Sequence, residues 1–222
     1  MAVASTIIAR LRDTLLDEAA VVWSDDDLLQ YISEAQRQIV FLKNDALPIE
    51  ANLPLFTGVS QRLPLRSDDF LDGLCVIDVL RNYDNTNELQ GRSITLVDKE
   101  LLDETNRFWP TATQTAEVDS WAADPRDPRR FLVSPPNDGT GYVTVLYGAI
   151  PGDLIASDVI ELPDAYVPSI IYYALAQAYG KNSLKGDLVK SNFYTQQFMQ
   201  GLGIKAQSQI AVAPKVSESS GM

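Results

Sequence analysis

The sequence predicts an α+β chain, mainly helical: a bundle of about four helices with an inserted β-rich middle and a flexible C-terminal tail. Three observations predict it. Apolar residues recur at helical spacing near both ends, in 5–43 and in 163–202. Between them, from 44 to 162, apolar runs shorten and proline and glycine become frequent. From 203 to 222, Ser, Ala, Gln and Lys dominate. Two amphipathic helices at each end can bury their stripes on one another, which leaves the middle as an insertion or a layer on the bundle.

Residues 5–17 read as the first helix, with Ile8, Leu11 and Leu15 on one stripe and Ser5 able to cap its start. A short loop carries Trp23. The clearest helix is 25–43, where Leu28, Ile32, Ala35, Ile39 and Leu42 step by four, three, four and three. Ser24 is its expected N-cap, and Asp27, three residues on, its capping-box partner. Asp25, Asp26 and Asp27 fan out around the helix instead of converging, so they suit a helix N-terminus and not a metal ion.

In the middle, Gln61 to Leu65 and Leu74 to Arg81 read as strands, the second ending in the polar turn Asn82-Tyr83-Asp84-Asn85. Residues 98–106 read as a short helix opened by Asp98 and ended before Trp109-Pro110. Arg130 to Ser134 and Tyr142 to Tyr147 read as two strands, and the turn Pro135-Pro136-Asn137-Asp138-Gly139 predicts an antiparallel hairpin between them. After Pro163, Val167, Ile170, Ile171, Ala174, Leu175 and Ala178 form a broad helical face, which Gly180 helps to end. A last helix is expected over about 184–201, with Leu184, Leu188, Phe193, Tyr194 and Phe198.

The composition excludes several chemistries. The 222 residues contain no histidine and one cysteine, Cys75. Without histidine there is no Ser-His-Asp triad, no Cys-His pair and no histidine-bound zinc. Cys75 cannot form an intrachain disulfide, and in the run Leu74 to Ile77 it reads as a small buried hydrophobe. Gly139-Thr140-Gly141 fits no phosphate-binding fingerprint, and no serine sits in a nucleophile elbow. The carboxylate pairs Asp68-Asp69 and Asp103-Glu104 read as solvated surface. No cofactor, metal or catalytic residue is expected. The N-terminus does not read as a secretory signal, and no stretch reaches the roughly 20 apolar residues that cross a bilayer, so synthesis in the cytoplasm and no membrane partner are expected.

Net charge is −12 and unevenly spread. Residues 1–162 carry 13 Lys/Arg against 27 Asp/Glu, or −14, while 163–222 carry 5 against 3, or +2. An acidic body does not hold nucleic acid by counterion release. Trp109, Trp121, Phe131, Tyr142 and Tyr147 could stack on bases, but basic residues do not interleave with them. Arg126, Arg129 and Arg130 alternate with Asp124 and Asp127, which suits local ion pairing.

The order of several short stretches resembles the phage head-to-tail adaptor (head completion) family. Leu11 to Asp17, then Trp23 to Leu29, then Ile32 to Val40 is similar to that family's N-terminal helix pair, with Ser33 where asparagine is common. Gly58 to Pro64 resembles its glycine-to-Leu-Pro strand, and Asp124 to Pro136 its Asp-Pro to Pro-Pro hairpin. Tyr147 to Pro151 resembles the stretch that follows. Leu162 to Tyr166 with Ala174 to Tyr179 resembles its third long helix.

The resemblance implies a virion structural protein: a homo-oligomeric ring, typically of twelve copies, under the portal, extending the DNA channel and presenting a surface to a tail or nozzle protein. Genomic DNA would pass through without specific binding. The C-terminal segment would dock on the portal, with Lys205, Gln207, Ile210 and Lys215 as the contact residues. The other readings are a tail tube or tail-completion protein, a small histidine-independent enzyme, and a DNA-binding module.

Overall fold

The structure, a computed structural model, describes residues 2–181 and 185–212, and the side chains of 2–181 and 185–203. It is α+β, with five α-helices and two four-stranded sheets among these residues. The sheets correct the prediction of a mainly helical chain. Strands 48–54, 89–93, 95–96 and 120–123 were not predicted: the last three are too short or too polar to show alternation, while in 48–54 Ile49, Ala51 and Leu53 do alternate with Glu50 and Asn52, but between two prolines. The chain separates into two compact units, residues 1–43 with 153–222, and residues 44–152.

The first unit holds α1 (Ala4–Leu15), α2 (Asp25–Leu42), α4 (Val167–Gly180) and α5 (Leu188–Val212). Helix α4 packs against the other three. It is apolar nearly all round for that reason, and Val167, Ile170, Ala174, Leu175 and Ala178 are among its buried residues. Helix α2 carries the predicted stripe, with Leu28, Ile32, Ala35 and Ile39 buried, although Leu42 is exposed at its end. The capping box between Ser24 and Asp27 is formed in both directions, each N–H donating at 3.1 Å. Helix α1 begins differently from the prediction. Val3 is its N-cap, and Ser5 lies inside the first turn and makes no cap. Helix α5 starts later and runs further than 184–201, since Ile204 to Val212 contains neither Gly nor Pro.

The second unit holds β1 (Pro48–Pro54), β2 (Gly58–Arg62), β3 (Asp72–Asp84), β4 (Leu89–Ser93), β5 (Thr95–Leu96), α3 (Lys99–Thr105), β6 (Ser120–Ala123), β7 (Arg130–Asn137) and β8 (Tyr142–Ile150). One sheet has the order β1-β8-β3-β4 and the other β2-β7-β6-β5. Inward residues alternate along β7 and β8, where Phe131, Val133, Val143, Val145 and Tyr147 are all almost fully buried.

The predicted hairpin of β7 with β8 is not formed. The two strands lie in different sheets, and the turn between them carries the chain from one to the other. Pro135 and Pro136 have no N–H to give a neighbouring strand. Asn137 then fixes the crossing, donating to the carbonyls of Thr115 at 3.0 Å and Ala116 at 2.8 Å. Besides the β6–β7 hairpin, one that does form joins β3 to β4. It turns at 85–88 and not at the predicted 82–85, because Asn82 is buried in β3. The Asn82 amide accepts from the Val118 N–H at 2.9 Å and donates to the Val118 carbonyl at 2.8 Å.

Candidate functional site

No cluster of three or more potential metal-ligating side chains occurs among the described residues. The side chains singled out in the sequence have other partners. Asp25 pairs with Arg12, and Asp27 caps α2 and pairs with Lys181 at 3.0 Å. Asp103 accepts from the Trp109 indole at 2.9 Å and from Lys99 at 2.7 Å. Trp109, Trp121, Phe131 and Tyr147 are buried, so they are core and not a stacking platform. Arg130 pairs with Asp124 and Arg129 with Asp72. Cys75 is buried, and burial pushes its thiol above the usual range. No described helix is long and apolar enough to cross a membrane.

What the helical unit does build is a rigid end that carries an exposed apolar helix face. The last four carbonyls of an α-helix have no partner inside it. In α4 three of these, those of Gln177, Ala178 and Tyr179, find one, and the Ala176 carbonyl one residue earlier accepts a bond from outside the helix. The Ser191 hydroxyl donates to Ala176 at 2.8 Å and the Lys181 N–H to Gln177 at 3.1 Å. The Trp23 indole N–H donates to Ala178 at 3.1 Å, and the Asp187 N–H to Tyr179 at 2.9 Å. The loop that delivers Trp23 is wrapped around Asp17, whose carboxylate accepts from the N–H groups of Val21, Val22 and Trp23. Burial alone would raise this carboxyl. The three backbone donors, with Lys185 at 3.7 Å, outweigh it and hold it below the usual carboxylate range. Asp27 is held low as well, first by the hydrogen bond from Lys181.

Helix α5 leaves this end with an apolar inner face and with large apolar residues among the polar ones outside. Ser191, Tyr194, Phe198 and Leu202 recur at three- and four-residue steps on the inner side. Phe198 and Leu202 are buried there, and Tyr194 stacks on Tyr172 and Tyr179 at ring separations of 6.2 and 5.9 Å. Leu188, Val189, Phe193 and Met199 point outward and are exposed. Large apolar side chains exposed together on one element mark an interaction surface. The periodicity that predicts the helix does not separate its two sides, because large apolar residues occur on both.

In the β unit, an open groove of about 570 Å³ is lined by Leu53, Pro54, Phe56, Leu63, Leu65 and Phe70, with Arg62, Asp127 and Arg129 also on its wall. Phe56 and Leu65 are exposed. Sequence reading did not find this groove, which is assembled from two strand ends and three loops.

Of the expected contact residues, Lys205, Gln207 and Ile210 lie on the last turns of α5, where side chains fall outside the described residues. Lys215 lies outside the described residues altogether.

Compared with known proteins, residues 4–217 match the family model described as SU10 adaptor protein. No curated protein matches the chain significantly. The model spans nearly the whole chain, including the Trp23 loop, all five helices and both sheets: the chain belongs to the SU10 adaptor protein family, the phage head-to-tail adaptors.

Proposed function

We propose that this chain is a virion structural protein that forms a ring, of twelve copies by family resemblance, beneath the portal of the filled head. The ring lengthens the DNA channel and offers the tail or nozzle its attachment surface. The chain catalyses nothing in this role, and it is made in the host cytoplasm before it joins the head–tail junction. The observation that carries the reading is the family match over 4–217, which makes the chain a phage adaptor.

Two features support the finer assignment. The outward face of α5 presents Leu188, Val189, Phe193 and Met199, and the helix leads into the segment with Lys205, Gln207, Ile210 and Lys215. That C-terminal region carries +2 within a chain of −12, so it suits an acidic partner, and we assign it to the portal. The remaining residues, at −14, suit a channel and tail-facing surface along which DNA slides without sticking. The domain reading that goes with this is a helical unit of 5–43 with 163–202, a β-rich insertion of 44–162 and a docking tail of 203–222.

Deletion of 203–222 tests the docking. The truncated chain should keep its fold and lose binding to purified portal in a pull-down or by surface plasmon resonance. Undiminished portal binding would sink the assignment. Imaging of the adaptor mixed with portal reads the ring and its copy number directly.

A further inference from the structure

The β-sheet β1-β8-β3-β4 has two free edges, β1 and β4. Each neighbouring pair in it is antiparallel, so β1 and β4 run in opposite directions. The register also shows which parts of the two edges share a level. Pro54 pairs with Tyr142, Tyr142 with Tyr83, and Tyr83 with Gln90, so Pro54 and Gln90 end the same row.

At that level the two edges differ in shape and charge. Beside β4, the hairpin tip projects Glu88 and Leu89; Leu89 is 62% exposed although it is apolar. Beside β1 lies the groove lined by Leu53, Pro54, Phe56 and Leu65. Arg62, on its wall, is two-thirds exposed and meets Asp127 only at 3.8 Å. One edge therefore carries an apolar knob beside an acidic group, and the other an apolar hole whose wall carries two arginines, Arg62 and Arg129, against one carboxylate, Asp127.

We propose that the β3–β4 hairpin tip of one copy docks in this groove of the next, Leu89 against Phe56 and Leu65, and Glu88 toward Arg62. The two surfaces lie at opposite edges of one sheet, so the contact is head-to-tail. Repetition of such a contact closes a ring when its rotation divides a full turn. Because β1 and β4 run oppositely, the two edges meet antiparallel, the geometry in which strands hydrogen-bond best. The second copy is the occupant that the complementarity favours, since the knob that fits the groove belongs to the same sheet. The inference rests on the ring reading above.

Single-cysteine variants test it in the full chain. Leu89→Cys and Phe56→Cys, differently tagged, are mixed under the conditions that assemble the protein and oxidised. Cys75 is buried, and the unsubstituted chain serves as the control. The expected result is a mixed 89–56 dimer, with little coupling of either variant to itself. In parallel, Glu88→Lys should raise the concentration for half-assembly about tenfold, and Arg62→Glu in the same chain should restore it. Circular dichroism confirms that each variant is folded. Rings that form without 89–56 coupling overturn this contact and leave the ring reading standing. Equal coupling of Leu89→Cys to itself also overturns it, in favour of a two-fold dimer. Absence of any self-association, alone or on portal, removes the contact and the ring together.

Discussion

The indole nitrogen of Trp23 donates to the carbonyl of Ala178 at 3.1 Å, across 155 residues of chain. Trp23 is fully buried and meets Tyr179 edge-on at 6.5 Å. One side chain from the α1–α2 loop thus caps the end of α4 and fills the space beside it. Trp23→Phe should cost about 1 kcal/mol, the lost hydrogen bond, while Trp23→Ala should cost about 3–5 kcal/mol through the cavity it leaves. Urea unfolding of the two variants separates the terms. Equal losses would mean that the packing contributes nothing beyond the hydrogen bond.

Ser24→Ala removes one half of the capping box of α2. A lost N-cap costs about 1 kcal/mol. The midpoint of chemical denaturation should fall accordingly, with no change in its slope.

The acid limb of stability should depend on Asp17. Its carboxyl, like that of Asp27, is held below the ordinary value of 3.8 in the fold. The stabilisation is therefore complete above about pH 5 and is lost as pH falls through the ordinary and then the lowered folded value. With no histidine in the chain, little should change between about pH 5 and 7. Thermal melts at stepped pH should show a plateau and then a drop in acid. Asp17→Asn should lower the plateau and flatten the drop. A slope centred near pH 6.5 would contradict this.

Gly148 leaves no room for a side chain. A Cβ there would lie 2.0 Å from the Asn44 carbonyl oxygen, within one unit. Backbone cannot yield as a flexible side chain can, so Gly148→Ala should destabilise by about 1–3 kcal/mol or more. Denaturation at neutral pH checks it. Gly203, with nothing near its Cβ position, is the control.

Phe193→Ser on the outer face of α5 should leave the unfolding free energy within about 0.5 kcal/mol, as exposed substitutions do. It should weaken binding to portal at least severalfold. Unchanged binding, with stability also unchanged, would remove this face from the docking surface.

Helices were the legible part of the sequence. The stripe from Leu28 to Ile39 and the Ser24–Asp27 box are local, and both are present in the fold. The sheet was less legible because pairing is a relation between distant segments. Arg130 to Ser134 and Tyr142 to Tyr147 were recognisable as strands, yet nothing local says that β7 pairs with β2 and β8 with β1. The Pro135–Gly139 stretch has the composition of a hairpin turn and is instead a crossing between sheets. Asn82 looked like turn chemistry and is a buried bracket for Val118. The α5 face was half legible: the sequence marks its residues as apolar but not which of them lack a neighbour. The Leu53–Phe70 groove had no local signal at all.

Asn44 and Gly152 bound the β unit, and just inside them the Ala149 N–H donates to the Leu47 carbonyl at 2.9 Å while Pro48 pairs with Gly148. The two ends of the β unit therefore run side by side at Leu47 and Ala149, about 5 Å apart, as antiparallel partners do. The insertion behaves as a cassette with a closed mouth: a few residues could bridge its roots, and its loops could be lengthened or exchanged without moving the points at which it is tied in.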